Sequence, residues 1–380
     1  MKSPAFCLLL ILFLGLIPAF GALASSESAL TVLPVPEATR IPYRYAYGPD
    51  YFPPEINPLT GLPSDDDRLL ERRPIAIKVT NYPRSVRPQW GLSLADHVYE
   101  YYIADEMTRF VGIFFGKDAS RVGPVRSARL FDEHLMRMYK AIFVFGWADD
   151  PILEFLTAPD IRPYLVVERA KNCPPLCRIG PKYAYNNLYA DTSQIATYLQ
   201  ERRSNNDPQD LTGLHFEAEV PKSGHPATSF SLRYSPISYH RWDYDASQGR
   251  YLRYQDTLDD FGRGTSYAPL KDSLTDKQLS AANIVVLLVP HSYYLRYSKT
   301  DIIDQVLEGE GYGFAFRDGS LYPITWSQDA EGEMMRLFLP NGQAYPLKPG
   351  NTWFEVLSDL SKLGPQDEAG WHFEFVLPKE

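Results

Sequence analysis

"DHVYEYYIADEMTRFVGIFF", Asp96 to Phe115, is the stretch on which the fold turns. Two runs rich in β-branched and aromatic residues, Asp96–Ile103 and Arg109–Phe115, flank a polar turn that carries Asp105 and Glu106. Each run reads as a strand. Side chains alternate along a strand, so Asp96, Val98 and Glu100 share one face and His97, Tyr99 and Tyr101 the other. If the two runs pair as a hairpin, acidic and basic groups come within reach of the next element in the chain.

That next segment is "GKDASRVGPVRSARLFDEHLMRMY", a loop and then a helix in which Phe131, Leu135 and Met138 recur at helical spacing. Ser127 is expected to cap that helix. Arg126 then lies just before the helix start and Arg129 in its first turn. Unpaired N–H groups and the positive dipole end make such a start attractive to anions, and arginines add directed donors. Two readings stay open. In the first, Arg126 and Arg129 grip a phosphate or carboxylate, Arg109 supports them, Asp96 and Glu100 orient them, and Tyr99 adds a stacking surface. In the second, Arg109, Arg126 and Arg129 close ion pairs with Asp96 and Glu100 and only brace the fold.

Outward from this block, further strands are expected at Ile75–Thr80, Ala141–Trp147 and Tyr164–Glu168. Helices are expected at "DPILEFL", capped by Asp150, and at "DTSQIATYLQERR". The polar stretch "RRSNNDPQD" separates this α/β pattern from a run of short strands. There "RDGS" and "PNGQ" mark hairpin turns, and "GEGYG" (Gly309 to Gly313) reads as a bend between strands. The expected organisation is a signal peptide over 1–24 and a proline-rich tether over 25–56. An N-terminal α/β domain over 57–205 and a β-rich domain over 226–380 come next. The fold class is mixed α+β: an N-terminal mixed sheet covered by helices, then a mostly antiparallel C-terminal domain.

Composition narrows the function. Net charge is −9, which argues against nucleic acid as a partner and offers little attraction to an anionic membrane. The apolar run "FCLLLILFLGLI" and the small residues Ala22 to Ala24 read as an export signal cleaved after Ala24, with an uncleaved anchor the only route to a membrane. Cys173 and Cys177 in "CPPLC" are candidates for a short disulfide. They are poor candidates for zinc, which needs four ligands. No metal and no cofactor is expected. Neither a nucleophile elbow, a phosphate loop nor a zinc-protease motif is present in the sequence. Tyrosine occurs 26 times, and clusters such as "VYEYY" and "HSYYLRY" suit either sheet packing or contact with sugars.

Several blocks, "NPLTGLP", "RRPIAIKVTN", "RPQWGLSLADHVYE", "TRFVGIFF" and "VGPVRSAR", occur in an order that resembles the YerB-like family of bacterial envelope proteins. "LSAANIVVLLVP", "GEGYGFAFRDG" and "FLPNGQAYPLKPGNTWFEV" extend the resemblance to about Leu357. It implies an extracytoplasmic protein with N- and C-terminal parts of unknown function. Many members look like lipoproteins with a cysteine closing the signal, whereas Cys7 here opens the apolar run. Members often carry histidines where this chain has Phe145-Gly146-Trp147-Ala148 and Asn186-Asn187. That departure favours binding over catalysis. The reading is a protein that binds an anionic envelope ligand through Arg109, Arg126 and Arg129. An envelope hydrolase or transferase using Arg126, Arg129 and a carboxylate is one alternative. A scaffold docking another envelope protein, with an apolar patch near Tyr293 and Tyr294, is the other.

Overall fold

Asp96–Phe115 forms a hairpin in the computed structural model, which describes residues 46–181, 184–296, 301–330 and 332–378. The signal peptide and most of the tether lie outside these residues. The end of the tether is held to the body, since Tyr47 and Phe216 exchange backbone hydrogen bonds of 2.9 and 2.8 Å. Strand β1 (Ile75–Thr80) and the hairpin strands β2 (His97–Ala104) and β3 (Met107–Phe114) pair antiparallel in the order β2–β3–β1. Asp105 and Glu106 both take positive φ, 50° and 62°, as a two-residue hairpin turn needs to match the twist of its strands.

Helix α1 (Phe131–Tyr139) buries Phe131, Leu135, Met138 and Tyr139 against Tyr99, Tyr101 and Val111 of the hairpin. Ser127 does not cap it. The cap position is Leu130, and the Asp132 carboxylate reaches back to the Arg129 N–H at 2.7 Å instead. Strand β4 (Ile142–Phe145) runs parallel to β1. Helix α2 (Asp150–Leu156), with Pro151 in its first turn and Asp149 rather than Asp150 at the cap position, leads to β5 (Leu165–Val167), parallel to β4. A small ribbon of β6 (Leu176–Arg178) and β7 (Leu188–Ala190) and helix α3 (Ile195–Glu201) complete this segment.

The C-terminal segment supplies β8 (Ser229–Ser235), β9 (Ser238–Asp245), β10 (Arg250–Asp256), β11 (Asn283–Val289), β12 (Gly309–Arg317) and β13 (Ser320–Gln328). It ends with β14 (Thr352–Ser358), β15 (Lys362–Pro365) and β16 (Gly370–Glu374). The "RDGS" turn is a hairpin between β12 and β13, with Asp318 and Gly319 at φ 50° and 72°. "GEGYG" is no bend: Gly309 to Gly313 are the first half of β12, paired with Ile324 to Gln328.

The two segments share a sheet. Among the described residues an eleven-stranded sheet runs β13–β12–β11–β14–β2–β3–β1–β4–β5, with two short strands added on β13. Strands β11, β14 and β2 are mutually parallel. "NIVVLLV" and "TWFEVLS" have both faces covered, which explains why they read as nearly unbroken apolar runs. A second sheet, built on the order β10–β9–β8–β16–β15, packs Phe230, Leu232, Trp242 and Tyr251 against one face of the large sheet. Helices α1 and α2 cover the other face, so the core lies in two layers around a central sheet.

Candidate functional site

The arginine block is placed by backbone pairing. Residues 122–128 run extended across the carboxyl ends of β1 and β4 and the ribbon strand β7. Val125 N bonds Leu188 O at 2.7 Å, Arg126 N bonds Lys78 O at 3.0 Å, Gly146 N bonds Arg126 O at 3.0 Å, and Ala128 N bonds Trp147 O at 2.8 Å. The carboxyl ends of parallel strands are where open α/β sheets hold their ligands. Cross-strand register brings Arg109 to the same place, opposite Thr80 on β1 and Tyr101 on β2.

Arg109 is buried, and Arg126 and Arg129 are partly buried. The Arg109 guanidinium donates to the Ser127 carbonyl, and Arg129 Nη1 donates to the Ala128 carbonyl at 2.7 Å. Arg126 lies over the ring of Tyr185, 4.4 Å from its centroid, and its Nε is buried without a partner. Among the described residues none of the three makes an ion pair with a carboxylate. Burial lowers all three pKa values, and Arg109 falls well below the ordinary arginine range because Arg129 and Arg126 add to the desolvation. Asp149, Asp132 and Asp105 oppose this at Arg129 from a distance. Arg121 stands apart, with its guanidinium over the rings of Trp90 and Tyr189 at 4.5 and 5.6 Å.

Beneath the arginines lies a group that sequence reasoning missed. Lys78 Nζ meets Asp132 Oδ1 at 2.9 Å with both side chains fully buried, and the Tyr101 hydroxyl bonds to the same oxygen and to Lys78. Burial brings Lys78 down to about 7, with Asp132 opposing and Arg109 reinforcing, and burial pushes Asp132 up. A lysine inside the apolar strand "IAIKVT" was the available signal. Lys78 thus holds Asp132 in contact, while Arg109 and Arg129 act on the pair electrostatically.

Asp96, Glu100 and Tyr99 do not join them. Asp96 accepts from Asn57 Nδ2 and from the N–H groups of Phe115 and Gly116, which ties the start of β2 to the end of β3. Glu100 lies on the opposite face of β2 from Tyr99 and Tyr101, as strand alternation requires, and so cannot reach Arg126 or Arg129. It bonds Arg253 Nη2, and it takes hydrogen bonds from Asn81 at 3.1 Å and Thr108 at 2.6 Å. Arg253 Nη1 also reaches Glu355 at 3.2 Å, and His240 Nε2 lies 2.9 Å from Glu355. Ligand atoms of Glu100, His240 and Glu355 lie within 4.8 Å of one another, and the Arg253 guanidinium supplies the positive charge there. This knot lies between the two sheets. Tyr99 is buried under α1, stacked on Phe354 at 4.5 Å, with its hydroxyl on that of Tyr139 at 2.7 Å. Cys173 and Cys177 are joined as a disulfide. Tyr294 packs edge-on against Phe155, and Tyr293 lies under Arg296.

A layered α+β protein with an arginine block across the carboxyl ends of its parallel strands is the class that this geometry defines. The chain belongs to the family described as protein of unknown function (DUF3048): its N-terminal domain matches residues 59–205 and its C-terminal domain residues 230–354. It is 27% identical over 314 residues to a Bacillus subtilis (strain 168) protein named "putative lipoprotein YerB", covering 80% of this chain and 86% of that one. The crystal structure of the YerB protein from Bacillus subtilis superposes with a TM-score of 0.67 at 25% identity, over 80% of this chain and 97% of that chain. The two family domains are therefore partners in one sheet.

Proposed function

We propose that this protein binds an anionic ligand of the cell envelope, a phosphate- or carboxylate-bearing glycan or lipid-linked precursor, at the carboxyl ends of β1 and β4. One observation carries the reading. Arg109, Arg126 and Arg129 gather there with no carboxylate in ion-pair contact among the described residues. Partly desolvated cations that repel one another are costly unless an anion offsets them. Arg126 and Arg129 grip the ligand, and Arg109 sits behind them and adds field without competing for it. The name of the Bacillus relative and the Cys173–Cys177 disulfide support an envelope location outside the cytoplasm, where disulfides persist.

The test is a thermal-shift titration of the exported chain with inorganic phosphate, sugar phosphates and muropeptide fragments. A ligand that binds only the folded state raises the melting temperature. Arg126→Ala is expected to weaken binding by about tenfold or more, the range of a charge-assisted bidentate contact, while the unliganded melting temperature stays near that of the parent. Arg126→Lys retains charge without the fork and falls between. If Arg126→Ala binds like the parent, or only unfolds while Arg126→Lys binds in full, the block is structural.

A further inference from the structure

Next to the arginine block lies a cleft of about 390 Å³ on the same edge of the sheet. Gly146 and Trp147 are common to both: their backbone pairs with Arg126 and Ala128, and they also line the cleft. Arg162, Arg169, Lys171 and Arg202 line it too. Glu168, the acidic side chain among the described residues that line it, is engaged by Arg178, with Nη2 to Oε2 at 2.6 Å. Among the described residues none of the four cations pairs with a carboxylate. The Arg202 guanidinium donates to the Tyr198 hydroxyl at 2.8 Å. The chain as a whole has more acidic than basic side chains, 47 against 38, and this lining departs from that overall balance. At the cleft wall Trp147 is 54% exposed, although large apolar rings are normally withdrawn from water.

We infer that this cleft continues the arginine site, and that the two together take an extended acidic saccharide, several sugar units long, rather than a single small anion. The inference rests on the anion-binding reading above and adds the substrate class. The cations of the cleft meet anionic groups on successive units. The Trp147 indole supplies a flat apolar face for the C–H face of a sugar ring, in the way aromatic rings commonly serve recognition surfaces that are part apolar and part wet. A bare polyanion would use the cations and leave Trp147 idle.

Titration calorimetry on the exported chain decides it, with galacturonate, oligogalacturonates of increasing length and inorganic polyphosphate as probes. Affinity for oligogalacturonate is expected to rise with length in the parent. The double variant Arg169→Ala, Lys171→Ala should lose that gain, and Trp147→Ala should lose about tenfold on the longer saccharides but nothing on polyphosphate. All three positions are exposed, so the melting temperatures should stay unchanged. Affinity independent of length in the parent overturns the inference and leaves the arginine site standing. Equal weakening of saccharide and polyphosphate by Trp147→Ala overturns the saccharide assignment. Loss in the cleft variants with full binding by Arg126→Ala instead overturns the arginine site and leaves the cleft as the binding surface.

Discussion

His97 shows how closely single residues are specified. Its Nε2 lies 2.6 Å from the Leu59 carbonyl, which can only accept, so Nε2 carries the proton. Nδ1 then accepts from the Tyr139 hydroxyl at 2.6 Å, and Tyr139 in turn accepts from Tyr99. Burial lowers the His97 pKa from 6.5 to about 4. The unfolded chain therefore takes up this proton first as pH falls, and the stability that neutral His97 contributes is lost between pH 6.5 and about 4. The loss amounts to about 3 kcal/mol for a shift of this size. Glu355, raised by burial to about 7, has the opposite slope, so the comparison must be with a variant. His97→Gln keeps one donor and one acceptor but does not titrate. Denaturant unfolding at several pH values should show the parent's advantage over it shrinking on acidification; a constant difference would mean that His97 does not titrate in this window.

At the scale of elements, the turn before the arginines depends on Gly123. It has φ +149°, and a Cβ there would meet the Leu188 carbonyl and the Val125 nitrogen, both at 2.9 Å. Both contacts are backbone, so neither can swing aside. Gly123→Ala is expected to cost about 1–3 kcal/mol and to move the extended segment off β7, weakening the proposed anion binding along with stability. Chemical denaturation together with phosphate titration checks this, and a variant unchanged in both would refute it. The elements themselves are largely legible in the sequence. "IAIKVT" is a strand with the bounds read from it, and the spacing of Phe131, Leu135 and Met138 marks α1. Ser127 misleads as a cap because capping depends on where the backbone turns helical, and pairing with β1, β4 and β7 holds residues 122–128 extended beyond it. "GEGYG" misleads as a bend because the long partner strand β13 holds glycines that would otherwise favour one.

For the whole molecule, Arg253 is the residue that joins the layers. It lies fully buried on β10 of the second sheet, bonds Glu100 of β2 and Glu355 of β14, and packs its guanidinium 4.7 Å from the Trp353 ring centroid. Arg253→Met removes the guanidinium that contacts both Glu100 and Glu355. A destabilisation of about 3–5 kcal/mol is expected, typical of breaking one side of a buried ion pair. Because β2 and β14 are neighbours in one sheet, both family domains should lose stability together in a single transition. Two separate transitions, or a variant as stable as the parent, would contradict this arrangement. Neither partner could be named from sequence, since Glu100 and Arg253 are 153 positions apart.

The sequence by itself determined the strands, the helices and the face on which each side chain falls, because periods of two and 3.6 arise from local backbone geometry. It also marked the arginine block as the feature to explain. Only the tertiary structure decided that those arginines, among the described residues, meet carbonyls and a ring instead of carboxylates. Alternation along β2 turned Glu100 away from them to a partner in the second sheet, while the carboxyl ends of β1 and β4 brought Lys78, Asp132 and Trp147 beside them. Charge pairing depends on distances of a few ångströms through space, and those are set by sheet order, which no local pattern encodes.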